Sequence, residues 1–470
     1  MGELKKDAIN LSDDFDLKRL VRFVMPSVIM MVFSSVYVVV DGLFVSNFVG
    51  KTAFASVNII MPFIMILSTI GYMFGTGGSA LVSMLMGQGN EKKANEVFSM
   101  LTYILIGVGV SASILGFIFV KPIAVMLGAS PDMLPMCIRY TRISMISLTC
   151  FMLQNFFQSF LVTAEKPKIG LLVMILAGVN NITFDGIFVE ALGMGIEGAA
   201  YATVMSEYIA GLIPLFYFLR KNTSRLSLGR ARFEGKTLAK VCGNGSSEFV
   251  TNISLSVVNI VYNIQLMKFT GSDGVSAYGA IVYVSAIFMG VFMGYSIGAS
   301  PVIGYKYGAE DKRALRSVFR KSIGIMIVLG ITLFALAQIF APAIADIFVG
   351  YDHNLKKLTV YAFRIYAFAY LTLGINIFGS AFFTALNNGA VSAGLSLTRT
   401  LVFELIFVSV LPLILGVNGI WLSIIASEVG AMAVTVVCLM HYRKRYGYGQ
   451  MLYDTAANKH NIGAGTGKER

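Results

Sequence analysis

Apolar residues fill this chain in long, nearly unbroken runs separated by short polar breaks. Runs of this kind suit membrane-spanning helices, which need about 20 mostly apolar residues, whereas a barrel strand would alternate apolar and polar positions. They lie at 20–46, 53–85, 94–120, 133–163, 168–189, 196–219, 237–268, 274–305, 317–341, 355–385, 390–412 and 418–441. The pattern predicts an all-α integral membrane protein with twelve transmembrane helices, some long enough to tilt or protrude. Residues 1–19 are polar and mixed in charge, and the first apolar run is too long for a cleavable signal peptide.

The second half of the chain repeats the first. A shift of 221 residues aligns Gly77 with Gly298, Gly87 with Gly308, Phe98 with Phe319, Tyr140 with Tyr361 and Thr163 with Thr384. Near the ends of the halves, Gly195, Ser206 and Glu207 meet Gly416, Ser427 and Glu428. Six helices per half is an even number, so the halves share an orientation. The expected architecture is two six-helix lobes related by a pseudo-twofold axis along the membrane normal. The division reads as a cytoplasmic segment 1–19, an N-lobe 20–219, a linker 220–236, a C-lobe 237–441 and a C-terminal tail 442–470.

Composition agrees: 56% of residues are hydrophobic, 13% are charged and mean hydropathy is +0.75 over the whole length. That excludes a soluble enzyme with one anchor, a disordered chain and a secreted disulfide scaffold. The net charge of +12 suggests nucleic acid until its carriers are placed. Of the 37 basic residues, 28 fall toward the face that holds both termini, five toward the other, and Arg139, Arg142, Arg364 and Arg399 deeper within spans. This is the positive-inside pattern; it predicts a multi-pass protein of the plasma (inner) membrane with both termini cytoplasmic and no nucleic-acid partner. The four cysteines lack metal or disulfide spacing and read as apolar packing residues. The three histidines fall near segment ends or in the tail, which disfavours a His-based metal or catalytic site.

Charges inside a span cost about 2.5–3.5 kcal/mol each on insertion scales, so each asks for a reason. They are Asp41, Asp185, Glu207, Glu248, Glu404 and Glu428, with Arg399 as the main positive counterpart. At a helix rise of about 1.5 Å per residue, Asp41, Asp185, Asn181, Thr203 and Tyr140 lie roughly 6–12 Å below one face. Tyr37 stands one turn below Asp41. At the 221-residue shift, Asp41 and Asp185 become Tyr262 and Ile406, so the pair reads as a specialised N-lobe site that takes a proton or a cation such as Na⁺. Glu207 and Glu428 occupy equivalent positions and read as a shared structural feature. Glu248 and Glu404 have no acidic counterpart. Pro26 interrupts the hydrogen bonding of span 1 and invites a bend.

The segment MPSVIMMVFSSVYVVVDGLFVSNFVG at 25–50 resembles the first helix of multidrug and toxic compound extrusion (MATE) transporters. The runs NNITFDGIFV and GIEGAAYATVMSE resemble helices 5 and 6 of that family, and the likeness covers both halves. It implies a twelve-helix, two-lobe antiporter, not an enzyme, that expels organic cations and drugs by alternating access using H⁺ or Na⁺, with no cofactor. The polar N-lobe network of prokaryotic members would map onto Asp41, Tyr37, Tyr140, Asn181, Asp185 and Thr203, with Asp41 and Asp185 as the residues for Na⁺ and Pro26 as the bend. A C-lobe aspartate of one branch falls at Asn376 here. A small cationic substrate, surrounding lipid and a monomeric state complete the expectation. A flippase for lipid-linked precursors is the competing class; it would favour an arginine- and lysine-rich cavity, whereas the intramembrane charges here are mostly acidic.

Overall fold

The computed structural model describes residues 9–44, 48–49 and 51–449; the side chains of 38, 41–44, 51 and 54 stand outside the description. The apolar runs form helices, as their length and lack of turn residues dictate. The N-terminal half holds α1 (Leu17–Phe44), α2 (Lys51–Gly87), α3 (Glu91–Met126), α4 (Leu134–Thr163), α5 (Pro167–Asp185) and α6 (Gly195–Leu219). The C-terminal half holds α7 (Gly235–Gly308), α8 (Lys312–Val349), α9 (His353–Tyr366), α10 (Tyr370–Ala385), α11 (Gly389–Leu397), α12 (Glu404–Leu415) and α13 (Val417–Tyr446).

Three departures from regular helix matter. α7 has 74 residues, about 110 Å if straight, and it turns back at Gly271 (φ 67, ψ −151) to make two crossings. α9 and α10 form one crossing through a 3₁₀ turn at Ala367–Ala369. α11 and α12 form another through a π-helical turn at Thr398–Phe403, and α5 continues into a π turn at Gly186–Ala191. Spans predicted as uniform helices at 355–385 and 390–412 are thus interrupted, and the break expected between 268 and 274 is a single glycine. The twelve crossings make the two-lobe, twelve-helix fold.

The repeat is visible in contacts. Asn90 caps α3 by accepting from the Lys93 N–H, and Asp311 caps α8 by accepting from the Ala314 N–H, at the same shift of 221. Gly89 (φ 76) and Glu310 (φ 56) precede these caps in the same left-handed conformation. In the N-terminal half Gly109 packs on Thr149; in the C-terminal half Gly330 packs on Tyr370.

The lobes meet where α7 packs against α1 and α2. Glycines let the backbones touch: Gly290, Gly294 and Gly298 lie on α1, Gly77 and Gly245 face each other's helices, and Gly87 and Gly308 close the end. This seam runs toward the face that carries most of the basic residues. The linker between lobes is fastened along α3, where Ser227 N–H donates to Asn95 Oδ1 (2.7 Å), Gly229 N–H donates to Ser99 Oγ (3.0 Å) and Lys93 pairs with Glu234.

Candidate functional site

Five helical segments of the C-terminal half converge on a buried ionic cluster. Glu428 of α13 is 2% exposed; its Oε2 accepts from Asn376 Nδ2 of α10 at 2.6 Å, and its backbone carbonyl accepts from the same amide at 2.9 Å. Arg399 Nη1 stands 3.6 Å from Glu428 Oε1. Glu404 is buried as well, and the charges of Arg399 and Glu428 both reach it; Arg399 also reaches Glu248 of α7. One guanidinium therefore serves three carboxylates, which leaves the site formally negative.

The π turn makes this grouping possible. Residues five apart stand about 140° apart around a regular α-helix. Hydrogen bonding from i to i+5 over Thr398–Phe403 widens the turn and returns Glu404 to the side of Arg399. Both are then buried, while Leu397, Val402 and Ile406 between and beyond them are 40–48% exposed.

Two cavities flank the cluster. The larger, about 280 Å³, is bordered by Glu404, Glu428 and Arg399, by the aromatic residues Tyr278, Tyr366 and Tyr370, and by Met31 and Ser35 of α1. Tyr278 stacks on Tyr262 at 5.0 Å between ring centroids, and its hydroxyl donates to Asn259 Oδ1 at 2.9 Å. The smaller, about 60 Å³, lies between Glu248, Asn376 and Arg399 and a hydroxyl wall. In that wall Ser380 contacts Ser392 and Ser396 at 2.9 Å each, and Thr384 contacts Ser392 at 2.7 Å. Asn376 Oδ1 has no hydrogen-bond partner among the described residues. A space of that size holds a few water molecules or an ion, whereas the larger approaches the range of organic ligands.

The N-terminal half is arranged differently. Asn181 and Asp185 follow one another by a turn on α5, both buried, and Asp185 adjoins the π turn that ends the crossing. Tyr140 is buried in α4, and Tyr37 packs at the edge of a cluster with Met30, Val173 and Met174. The Thr203 hydroxyl is bonded to the Ala199 carbonyl of its own helix at 3.1 Å. Asp41 lies in the last turns of α1, where its side chain stands outside the description. Pro26 is inside α1 and buried. Glu207 is buried on α6. At the position equivalent to Arg399 this half carries Gly178, where a side chain would meet the Phe33 ring.

All the charged members of the C-lobe cluster are apparent in the sequence as intramembrane charges. Their convergence is not, because it depends on the π turn and on Asn376, a neutral residue. Among the described residues no group of three or more His, Cys, Asp or Glu is placed to hold a metal ion.

The chain was compared with known proteins. The family model MatE matches residues 26–187 and 249–410, one block in each half. The multidrug export protein MepA of Staphylococcus haemolyticus (strain JCSC1435) is 24% identical over 430 residues, covering 91% of this chain and 94% of the relative. MepA of Staphylococcus aureus (strain MRSA252) is 22% identical over 427 residues, covering 89% and 93%. Among solved structures, an outward-facing multidrug resistance MATE family transporter of the MOP superfamily superposes with a TM-score of 0.88 at 22% identity, covering 93% of this chain and 98% of the other. A MATE structure in complex with MaL6 gives 0.88 at 21% identity, with the same coverage. With both halves matched by one model over most of its length, the chain belongs to the MatE family and is a multi-pass membrane transporter rather than an enzyme.

Proposed function

We propose that the protein exports organic cations and drugs by alternating access, driven by an inward gradient of H⁺ or Na⁺. The observation that carries this reading is the larger C-lobe cavity, where Glu404 and Glu428 border a space faced by Tyr278, Tyr366 and Tyr370. Aromatic faces and carboxylates together attract a flat or quaternary cation, and the low dielectric strengthens both terms. The name of the relatives, multidrug export protein, points the same way.

In this reading Arg399 is an internal counter-charge. It offsets one carboxylate while the cavity is without cargo, and an arriving cation competes with it for Glu404 and Glu428. The coupling ion belongs in the N-lobe at Asp41 and Asp185, supported by Asn181, Tyr140, Tyr37 and Thr203, with the bend at Pro26 carrying the response. Ion and cargo then sit in different lobes, and each shifts the equilibrium toward the state it prefers. The lobes correspond to 20–219 and 237–441, joined by 220–236. The basic face, with both termini, lies in the cytoplasm, and the protein works in the inner membrane as a monomer.

Ethidium uptake into proteoliposomes under a pH gradient alone, then a Na⁺ gradient alone, tests this. Transport should follow one gradient, with Asp41→Asn and Asp185→Asn uncoupling it and Glu404→Gln weakening ethidium affinity. Gradient-driven transport that survives both aspartate variants would overturn the N-lobe assignment. Unchanged affinity in Glu404→Gln and Glu428→Gln would overturn the cargo site.

A further inference from the structure

The segment ahead of α1 touches both lobes at once. Leu11 N–H donates to Glu165 Oε1 at 2.8 Å, on the connection between α4 and α5. Within the next four residues the partners belong to the other half: Lys306 Nζ of α7 donates to the Ser12 carbonyl at 2.9 Å, and Lys321 Nζ of α8 donates to the Phe15 carbonyl at 2.6 Å. Between these tethers Leu11 is 0% exposed and Phe15 5%, and Phe15 meets Phe23 edge to face at 5.6 Å. The segment turns at Asn10–Asp13, where Asp13 N–H donates to the Asn10 carbonyl at 3.1 Å. Arg225 of the linker reinforces the same spot, 3.9 Å from Glu165 and hydrogen-bonded to Tyr305.

Burying Lys306 to 4% exposure and giving its ammonium a backbone carbonyl is costly unless the contact is made, so the lysine and the segment hold each other in place. All these contacts lie at the end of the seam where Gly87 and Gly308 meet, and parting the lobes there must break either the Glu165 side or the lysine side.

We propose that residues 9–16 form a clasp that keeps the basic face shut, and that the clasp must undock from one lobe for that face to open. Its role in transport rests on the alternating-access reading above; its role in closure does not.

The test is a distance measurement on the full chain. Spin labels are placed at Lys92→Cys and Arg313→Cys, exposed positions related by the 221-residue shift, in a background freed of native cysteines. Double electron–electron resonance is read without cargo or gradient, for the native clasp and for residues 9–16 replaced by a glycine–serine tract of equal length. The replacement should enlarge the long-distance population at least threefold, with Lys321→Met in between. A distribution that superimposes on the parent's, in protein that remains folded, would overturn the clasp. Where the replacement does not fold, the double variant Leu11→Asp, Phe15→Ala decides the matter by the same reading. Loss of ethidium transport with an unchanged distribution would count against the clasp and leave the transport reading intact.

Discussion

Gly87 of α2 packs against the Tyr305 carbonyl of α7, while Gly308 of α7 packs against the Met84 carbonyl of α2, an exchange that the 221-residue shift reproduces residue for residue. Neither glycine has room for a β-carbon. Gly87→Ala and Gly308→Ala should therefore open the seam to similar extents, each disfavouring the closed face by about 1–3 kcal/mol, the usual cost of overpacking. Gly107→Ala, with nothing near its β-position, is the control and should leave the distances unchanged. The spin-label pair at 92 and 313 reads all three.

The Arg399–Glu428 pair makes a second expectation concrete. Removing Arg399 strips three carboxylates of their guanidinium, at a cost of about 3–5 kcal/mol. Removing Glu428 leaves Arg399 with Glu404 and Glu248, and removing both costs less than the sum. Thermal melting in detergent should thus show Arg399→Gln clearly destabilised, Glu428→Gln less so and the double variant short of the two combined. The same arginine variant should shift cargo preference: with the internal cation gone, dications should gain on monocations in competition assays.

Gly271 is constrained by backbone alone, because a side chain there would meet nothing within 4 Å. Gly271→Ala should lower stability by about 1–3 kcal/mol, because φ 67 with ψ −151 lies in a region that only glycine populates freely. Gly271→Asn should recover none of it, since asparagine is tolerated in the αL region and not at this ψ. Denaturation monitored by tryptophan fluorescence (the chain has one, Trp421) would report it.

Two carboxylates outside the spans should respond oppositely to pH. Burial pushes the Glu165 carboxyl up, against the Leu11 N–H, Arg225 and Lys166 and with Asp13 adding to the rise. The folded state therefore prefers its protonated form, and its contribution is present below the ordinary carboxylate range and lost as pH rises through the raised value. At the half-buried Glu234, hydrogen bonds from Lys93 and then Thr237 hold the carboxyl down. Its contribution is present above the ordinary range and lost as pH falls through the lowered value. Hydrogen exchange, corrected for intrinsic rates, should show residues 9–16 gaining protection on moving from about pH 8 to about pH 5, approaching the ordinary carboxylate value. Residues 227–236 should hold theirs until the pH falls below that value.

Much of this was legible from residue order. The twelve crossings follow from run length, and the lobe repeat follows from a single shift whose landmarks Gly87 and Gly308 turn out to face each other's helices. What escaped was geometry that no periodicity carries. A regular helix separates Arg399 from Glu404; only the π turn unites them. Asn376 is neutral and so carries no charge signal, yet it holds Glu428 with two hydrogen bonds. The N-terminal segment reads as a polar preamble because two buried anchors, Leu11 and Phe15, are too few to make a pattern.

The hydroxyl wall of Ser380, Ser392, Ser396 and Thr384 has a consequence for what the smaller cavity can hold. Its three hydroxyl–hydroxyl contacts join groups that both donate and accept, while Ser380, Ser392 and Thr384 also reach the Ser392 and Ser380 carbonyls, which only accept. A proton turned onto a carbonyl leaves that hydroxyl's lone pairs to the cavity without moving a side chain. Beside water or a small cation the wall then presents oxygen lone pairs. The wall thus stands in for part of a hydration shell, carried by the protein itself.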